Sequence, residues 1–129
     1  MKKKYIICVD DEKIVLDSLQ KQLNRHFENK FSYEFAESAE EALEIIEDIQ
    51  SPETIVIVIS DWLMPNMKGD EFLLKIHEEL PEVHKFMLTG QVDSDAITKL
   101  ITKLDNFVVF QKPWDEDKLI ETISKKVNI

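Results

Sequence analysis

Five short runs rich in β-branched and aromatic residues alternate with five stretches whose apolar residues recur at intervals of three and four. The runs predict strands over 5–9, 32–35, 55–59, 85–88 and 107–110. Those at 5–9 and 55–59 are apolar at both odd and even positions, as parallel strands covered on both faces should be. The longer stretches predict five helices. The first carries Leu16, Leu19, Leu23 and Phe27, and the second Ala39, Ala42, Leu43, Ile46 and Ile49. Ser38 opens the second with Glu41 three residues on, the pattern of a capping box. The third carries Phe72, Leu73, Ile76 and Leu80 and stops before Pro81. The fourth carries Ala96, Ile97, Leu100, Ile101 and Leu104. The fifth starts at Asp115 and carries Leu119, Ile120, Ile123 and Val127. Strand and helix alternate with no repeat, linker or low-complexity tract. The expectation is one α/β domain over 1–129, a doubly wound parallel sheet.

Composition narrows the setting. The chain has 129 residues, 43% hydrophobic and 33% charged, which is globular rather than disordered. Its net charge is −10, from 16 basic and 26 acidic residues, so direct contact with a nucleic-acid backbone is not expected. The acidic run of Glu37, Glu40, Glu41, Glu44, Glu47 and Asp48 reads as a solvated helix face. No apolar run approaches the roughly 20 residues of a membrane span. The opening "MKKKYIICVDD" has basic residues and a short apolar run, but that run meets two aspartates instead of a cleavage site. Cys8, the single cysteine, fits a reduced compartment, and a cytoplasmic location is expected.

The stretch "VISDWLMPNMKG" raises the question of chemistry. A β-branched run drives into Asp61, where a carboxylate is costly unless something pairs with it. In an open α/β sheet, ligands bind outside the carboxyl ends of the strands. Those ends carry Asp10-Asp11 after the first strand, Asp61 after the third, Thr89-Gly90 after the fourth and Gln111-Lys112-Pro113 after the fifth. Three carboxylates so placed repel one another unless a cation offsets them. An all-oxygen site with room for water suits Mg2+. Lys112 adds a point charge suited to a phosphoryl group, and Thr89 adds a hydroxyl. Asp61 is then a nucleophile that could form an acyl phosphate.

The blocks "CVDDEKIVLDSL", "VISDWLMPNMKGDEFL", "MLTGQ" and "FQKPW" resemble the signature blocks of bacterial response-regulator receiver domains, with matching order and spacing. The resemblance covers essentially the whole chain. It implies a flavodoxin-like receiver fold with strand order 2-1-3-4-5. It makes Asp61 the phosphoacceptor, and Asp10 and Asp11 the metal-holding pair, with Asp61 and the Leu63 carbonyl as further Mg2+ ligands. It makes Thr89 the switch hydroxyl and Lys112 the phosphoryl-contacting lysine. The Lys112–Pro113 bond is expected cis. The implied partners are a sensor histidine kinase or phosphotransfer protein and an output domain or effector. Activation would act through a face of helix four, strand five and helix five that could also pair two copies. The chain would not be an enzyme beyond self-phosphorylation and slow autodephosphorylation. The resemblance also implies that Leu63 and Gln91, two residues after the acceptor and two after the switch hydroxyl, help or hinder an attacking water. Where the family usually places an aromatic switch residue, three before the lysine, this chain has Val109.

Other features carry less. His26, His77 and His84 have no metal-ligand spacing, and Trp62 and Trp114 are expected to pack beside the site. Gly69 and Gly90 are the only glycines, too few for a P-loop or a dinucleotide fingerprint. A phosphohydrolase of the haloacid-dehalogenase kind would need an acid two residues after Asp61, where Leu63 stands.

Overall fold

The computed structural model describes residues 3–90 and 94–129. Its strands are β1 (Lys4–Val9), β2 (Phe31–Ala36), β3 (Ile55–Asp61), β4 (His84–Thr89) and β5 (Phe107–Gln111). The helices between and after them are α1 (Lys13–Phe27), α2 (Ala39–Asp48), α3 (Gly69–Glu79), α4 (Ser94–Lys103) and α5 (Glu116–Val127). All strand pairs are parallel, in the order β2-β1-β3-β4-β5. This is the expected 2-1-3-4-5 sheet of the flavodoxin-like receiver fold. Each strand runs slightly beyond its hydrophobic run, because backbone pairing continues after side-chain burial stops favouring apolar residues. Asp61 and Thr89 are therefore the last residues of β3 and β4.

Successive strand residues point to opposite faces, which divides the core in two. Ile7, Val9, Val58 and Met87 face α2, α3 and α4, meeting Ala42, Ile46, Phe72, Ile76, Leu100 and Leu104. Ile6, Cys8, Ile57, Ile59, Phe86 and Leu88 face α1 and α5, meeting Leu16, Leu19, Leu23, Phe27, Leu119 and Ile123. Each fully buried Leu or Ile contributes about 1.5–3 kcal/mol relative to exposure, so these two layers hold the helices on the sheet.

Three details differ from the sequence pattern. The Ser38 hydroxyl accepts from the Glu41 N–H at 3.1 Å, but the Glu41 carboxylate accepts from the Glu37 N–H at 3.3 Å. The returning arm of the capping box thus reaches one residue further back than expected. Ile101, on the apolar register of α4, is 59% exposed, because the half-turn that buries Leu100 and Leu104 turns it to solvent. Lys85, at the foot of β4, is wholly buried, and its ammonium donates to the carbonyls of Val83 (2.8 Å) and Pro81 (3.4 Å). Burial pushes its pKa down. Among the described residues no helix is long and apolar enough to cross a membrane.

Candidate functional site

The order of the sheet reverses between β1 and β3, and the crevice at their carboxyl ends is where such folds bind ligands. Asp10, following β1, is wholly buried, and Asp61, ending β3, is 5% exposed. One oxygen of Asp10 accepts the backbone N–H of Glu12 at 2.8 Å. Its other oxygen accepts from Lys112 Nζ at 2.9 Å, and the same ammonium donates to Asp61 at 3.0 Å. Asp11 is exposed, and one carboxylate oxygen from each of Asp10, Asp11 and Asp61 can lie within 4.8 Å of the others.

The electrostatics follow from this crowding. Burial and the Asp10 charge push the Asp61 carboxyl up to about 6, although Lys112 pulls the other way. Burial also raises Asp10, outweighing its hydrogen bonds to Lys112 and Glu12. Burial alone would lower Lys112, but its bonds to the two aspartates leave it raised, so it stays charged. At neutral pH the result is an ionised Asp61 beside a single ammonium, with carboxylates in excess. That donor set fits a hard divalent cation: all oxygen, anionic and open on the Asp11 side.

The loop from β3 to α3 is held by backbone as well as packing. The Trp62 N–H donates to Leu88 at 3.2 Å and the Gly69 N–H to Trp62 at 2.8 Å. Trp62 and Met64 are buried in the core, which leaves Leu63 between them 49% exposed at the cavity rim. Asn66, at φ 71°, makes the left-handed turn that closes the loop, a conformation asparagine tolerates. At Gly69 a Cβ would lie 2.1 Å from the Asp61 carbonyl oxygen, so the close return of the chain requires glycine here. Thr89, 1% exposed, ends the neighbouring strand, and its carbonyl accepts the Lys112 N–H at 2.8 Å. The Lys112–Pro113 peptide is cis.

Asp11, Asp61, Leu63, Thr89, Gly90 and Lys112 line one cavity of about 370 Å3. Every described residue singled out for the site therefore meets at one place, with Asp10 beneath. Gln91 lies outside the described residues. Glu12 was not singled out from the sequence, yet it lines the same cavity, with its carboxylate 3.8 Å from Lys112 Nζ. Its position directly after the aspartate pair was the available signal. The tryptophans pack near the site: Trp62 in the core, and Trp114 with its indole N–H on Gln22 at 2.8 Å. His26 pairs with Glu116, while His77 and His84 sit half-buried, each with a buried Nδ1 that has no hydrogen-bond partner among the described residues. A larger hollow of about 570 Å3, between the start of β1 and the end of α2, includes Glu34 and Asp48. Among the described residues, the only grouping of three metal-ligating side chains is that of Asp10, Asp11 and Asp61.

Comparison with known proteins agrees with this geometry. The model of the response regulator receiver domain matches residues 6–124. The chain is 29% identical to the hydrogenase transcriptional regulatory protein HoxA of Cupriavidus necator, over 95% of its own length but 24% of HoxA. It is 26% identical to the chemotaxis protein CheY1 of Helicobacter pylori, covering 92% of both chains. Among solved structures, the signal receiver domain of an HD domain-containing protein from Pseudomonas fluorescens superposes with a TM-score of 0.86 at 27% identity, covering 98% of this chain and 96% of that one. A CheY-like receiver domain protein from Methanospirillum hungatei gives 0.82 at 29% identity, covering 98% and 95%. The chain belongs to the response regulator receiver domain family. It is a receiver domain of the kind carried by two-component response regulators, and it spans about a quarter of the HoxA proteins it matches.

Proposed function

We propose that this domain accepts a phosphoryl group on Asp61 from a histidine kinase or phosphotransfer protein, and that the change controls an output domain or effector. The observation that carries the reading is the bond from Lys112 Nζ to Asp61 at 3.0 Å in a cavity also lined by Asp11 and Thr89, with Asp10 on the same ammonium at 2.9 Å. Asp61, ionised at neutral pH and backed by buried Asp10, is the nucleophile. Lys112 holds the carboxylate in place and offers its charge to the incoming phosphoryl oxygens. The Thr89 hydroxyl, at the end of the adjacent strand, would bond one of those oxygens once the group is attached. Asp10, Asp11, Asp61 and the Leu63 carbonyl would hold Mg2+. When bound, that ion neutralises charge on the transferring group. Phosphorylation then biases a two-state equilibrium of the face built by α4, β5 and α5, the surface for a partner or a second copy. The excess of acid argues for protein partners rather than nucleic acid. The reaction resets by slow hydrolysis at the same site, so turnover of a substrate is not its role.

The test is direct. Incubation with Mg2+ and acetyl phosphate should add one phosphoryl group by intact mass, and Asp61→Asn should add none. Equal labelling of that variant would move the acceptor elsewhere. The metal assignment has its own readout: Mg2+ should change the fluorescence of Trp62, and Asp11→Ala should abolish or greatly weaken that response.

A further inference from the structure

The Glu12 side chain stands at the mouth of the cavity. Glu12 is the N-cap residue of α1, yet its side chain makes no capping bond. Its backbone does the local work: the carbonyl accepts the Val15 and Leu16 N–H groups, and its N–H holds Asp10. The carboxylate, its side chain 61% exposed, lies 3.8 Å from Lys112 Nζ, the third acid on that ammonium. Glu12 also lines the groove next door, with Ile14, Val15, Gln22, Pro113 and Trp114. It is thus the charged post between the phosphoryl cavity and a flanking surface on which Ile14 is 72% exposed.

From this placement we infer that Glu12 selects among phosphoryl donors by charge, repelling small dianionic donors and favouring a donor that brings a positive group to the mouth. The inference rests on the proposed phosphoacceptor role of Asp61. A small donor must pass within several ångströms of this carboxylate to reach Asp61, and like charges at that range oppose binding in a solvated site. A protein donor that places a lysine or arginine on the groove would meet Glu12 as a partner instead. Glu12 acts on approach and not on the transfer itself. In transfer from acetyl phosphate, an Asp61 oxygen bonds to phosphorus as the bridging P–O bond breaks and acetate leaves with the electron pair. From phosphoramidate, the P–N bond breaks and ammonia leaves. At neutral pH phosphoramidate is largely the zwitterion, with one net negative charge fewer than acetyl phosphate.

The experiment measures phosphorylation of the full chain by both donors in Mg2+, for the native protein, Glu12→Gln and Glu12→Arg. Glu12→Gln should lower KM for acetyl phosphate about three- to tenfold and KM for phosphoramidate clearly less, with kcat held, the scale expected of one charge acting at short range in a solvated site. Glu12→Arg should extend the trend, and high salt should shrink the differences. Equal change for the two donors, no change, or a change confined to kcat would each overturn the inference. Intact-mass labelling of the native protein separates the two levels. If no phosphoryl group reaches Asp61 from either donor, the acceptor reading itself fails, whereas labelling with no dependence on donor charge removes only the role of Glu12.

Discussion

At the scale of single residues, the site is a balance of charges with the carboxylates ahead. Burial and the Asp10 charge push the Asp61 carboxyl up to about 6 in the folded chain, against an ordinary 3.8. The native state therefore binds the extra proton between those values, and stability from this group, full below 3.8, is lost as pH rises through about 6. Ionised Asp61 is a cost at neutral pH. Asp61→Asn should stabilise the metal-free protein there by on the order of 1–2 kcal/mol, allowing for solvent screening at the open mouth. The gain should shrink towards zero near pH 4, where the native carboxyl is neutral, as urea unfolding across that range would reveal. A gain that is the same at every pH would point to packing rather than charge. Leu63 supports a second prediction. Half-exposed at the cavity rim, it offers no polar atom in its side chain to orient a water. The phosphorylated domain should lose its group slowly, and Leu63→Asn should speed the loss several-fold in a mass-spectrometric time course. An unchanged or slower rate would remove Leu63 from that role.

At the scale of elements, the loop from β3 to α3 is fixed where its two ends meet. Gly69 returns so close to the Asp61 carbonyl that alanine at this position must push backbone aside. Overpacking of this kind costs about 1–3 kcal/mol. Gly69→Ala should lose that much in denaturant unfolding and weaken Mg2+ binding with it, since the displaced segment carries Leu63. Normal stability would mean the loop yields more easily than its hydrogen bonds suggest. Strand β5 poses a different question. Phe107 packs with the α2–α4 side and Phe110 with the α1–α5 side, its ring 5.7 Å from that of Phe86. Val109 is half-buried, with one stiff torsion and little volume. Structures with and without beryllofluoride should therefore show Val109 in one rotamer while Thr89 moves. A swing of Phe107 or Phe110 would place the switch on an aromatic ring instead. Residues 91–93, which follow Gly90, lie outside the described residues.

For the whole molecule, metal binding at the three aspartates would be linked to folding, because they converge only when β1 and β3 pair. A ligand that binds the native state alone stabilises it by about 2.7 kcal/mol at 100 times its Kd. Saturating Mg2+ should raise Tm, a chelator should reverse the rise, and Asp11→Ala should lose it. A Tm indifferent to Mg2+ would place the ion elsewhere. Much of this architecture is legible in the chain itself. Hydrophobic period separates strands from helices, since an extended chain alternates faces every two residues and a helix every 3.6 or so. Doubly covered strands such as β1 and β3 declare themselves by being apolar throughout, and strand-end position alone singles out Asp10, Asp11, Asp61, Thr89 and Lys112. Other features depend on what lies across space. Ile101 shares the helical register of Leu100 and Leu104, and only the way α4 seats on the sheet turns it outward. Lys85 reads as an ordinary polar strand start until the chain folds its own carbonyls over the ammonium. Asp61 reads as one acid among 26 until burial and Asp10 raise it. Glu12 is a helix-start residue in sequence and stands beside Lys112, 100 positions further along, only in the folded chain. Period and residue type are local and survive in one dimension; burial, charge coupling and close approach exist only once distant segments are brought together.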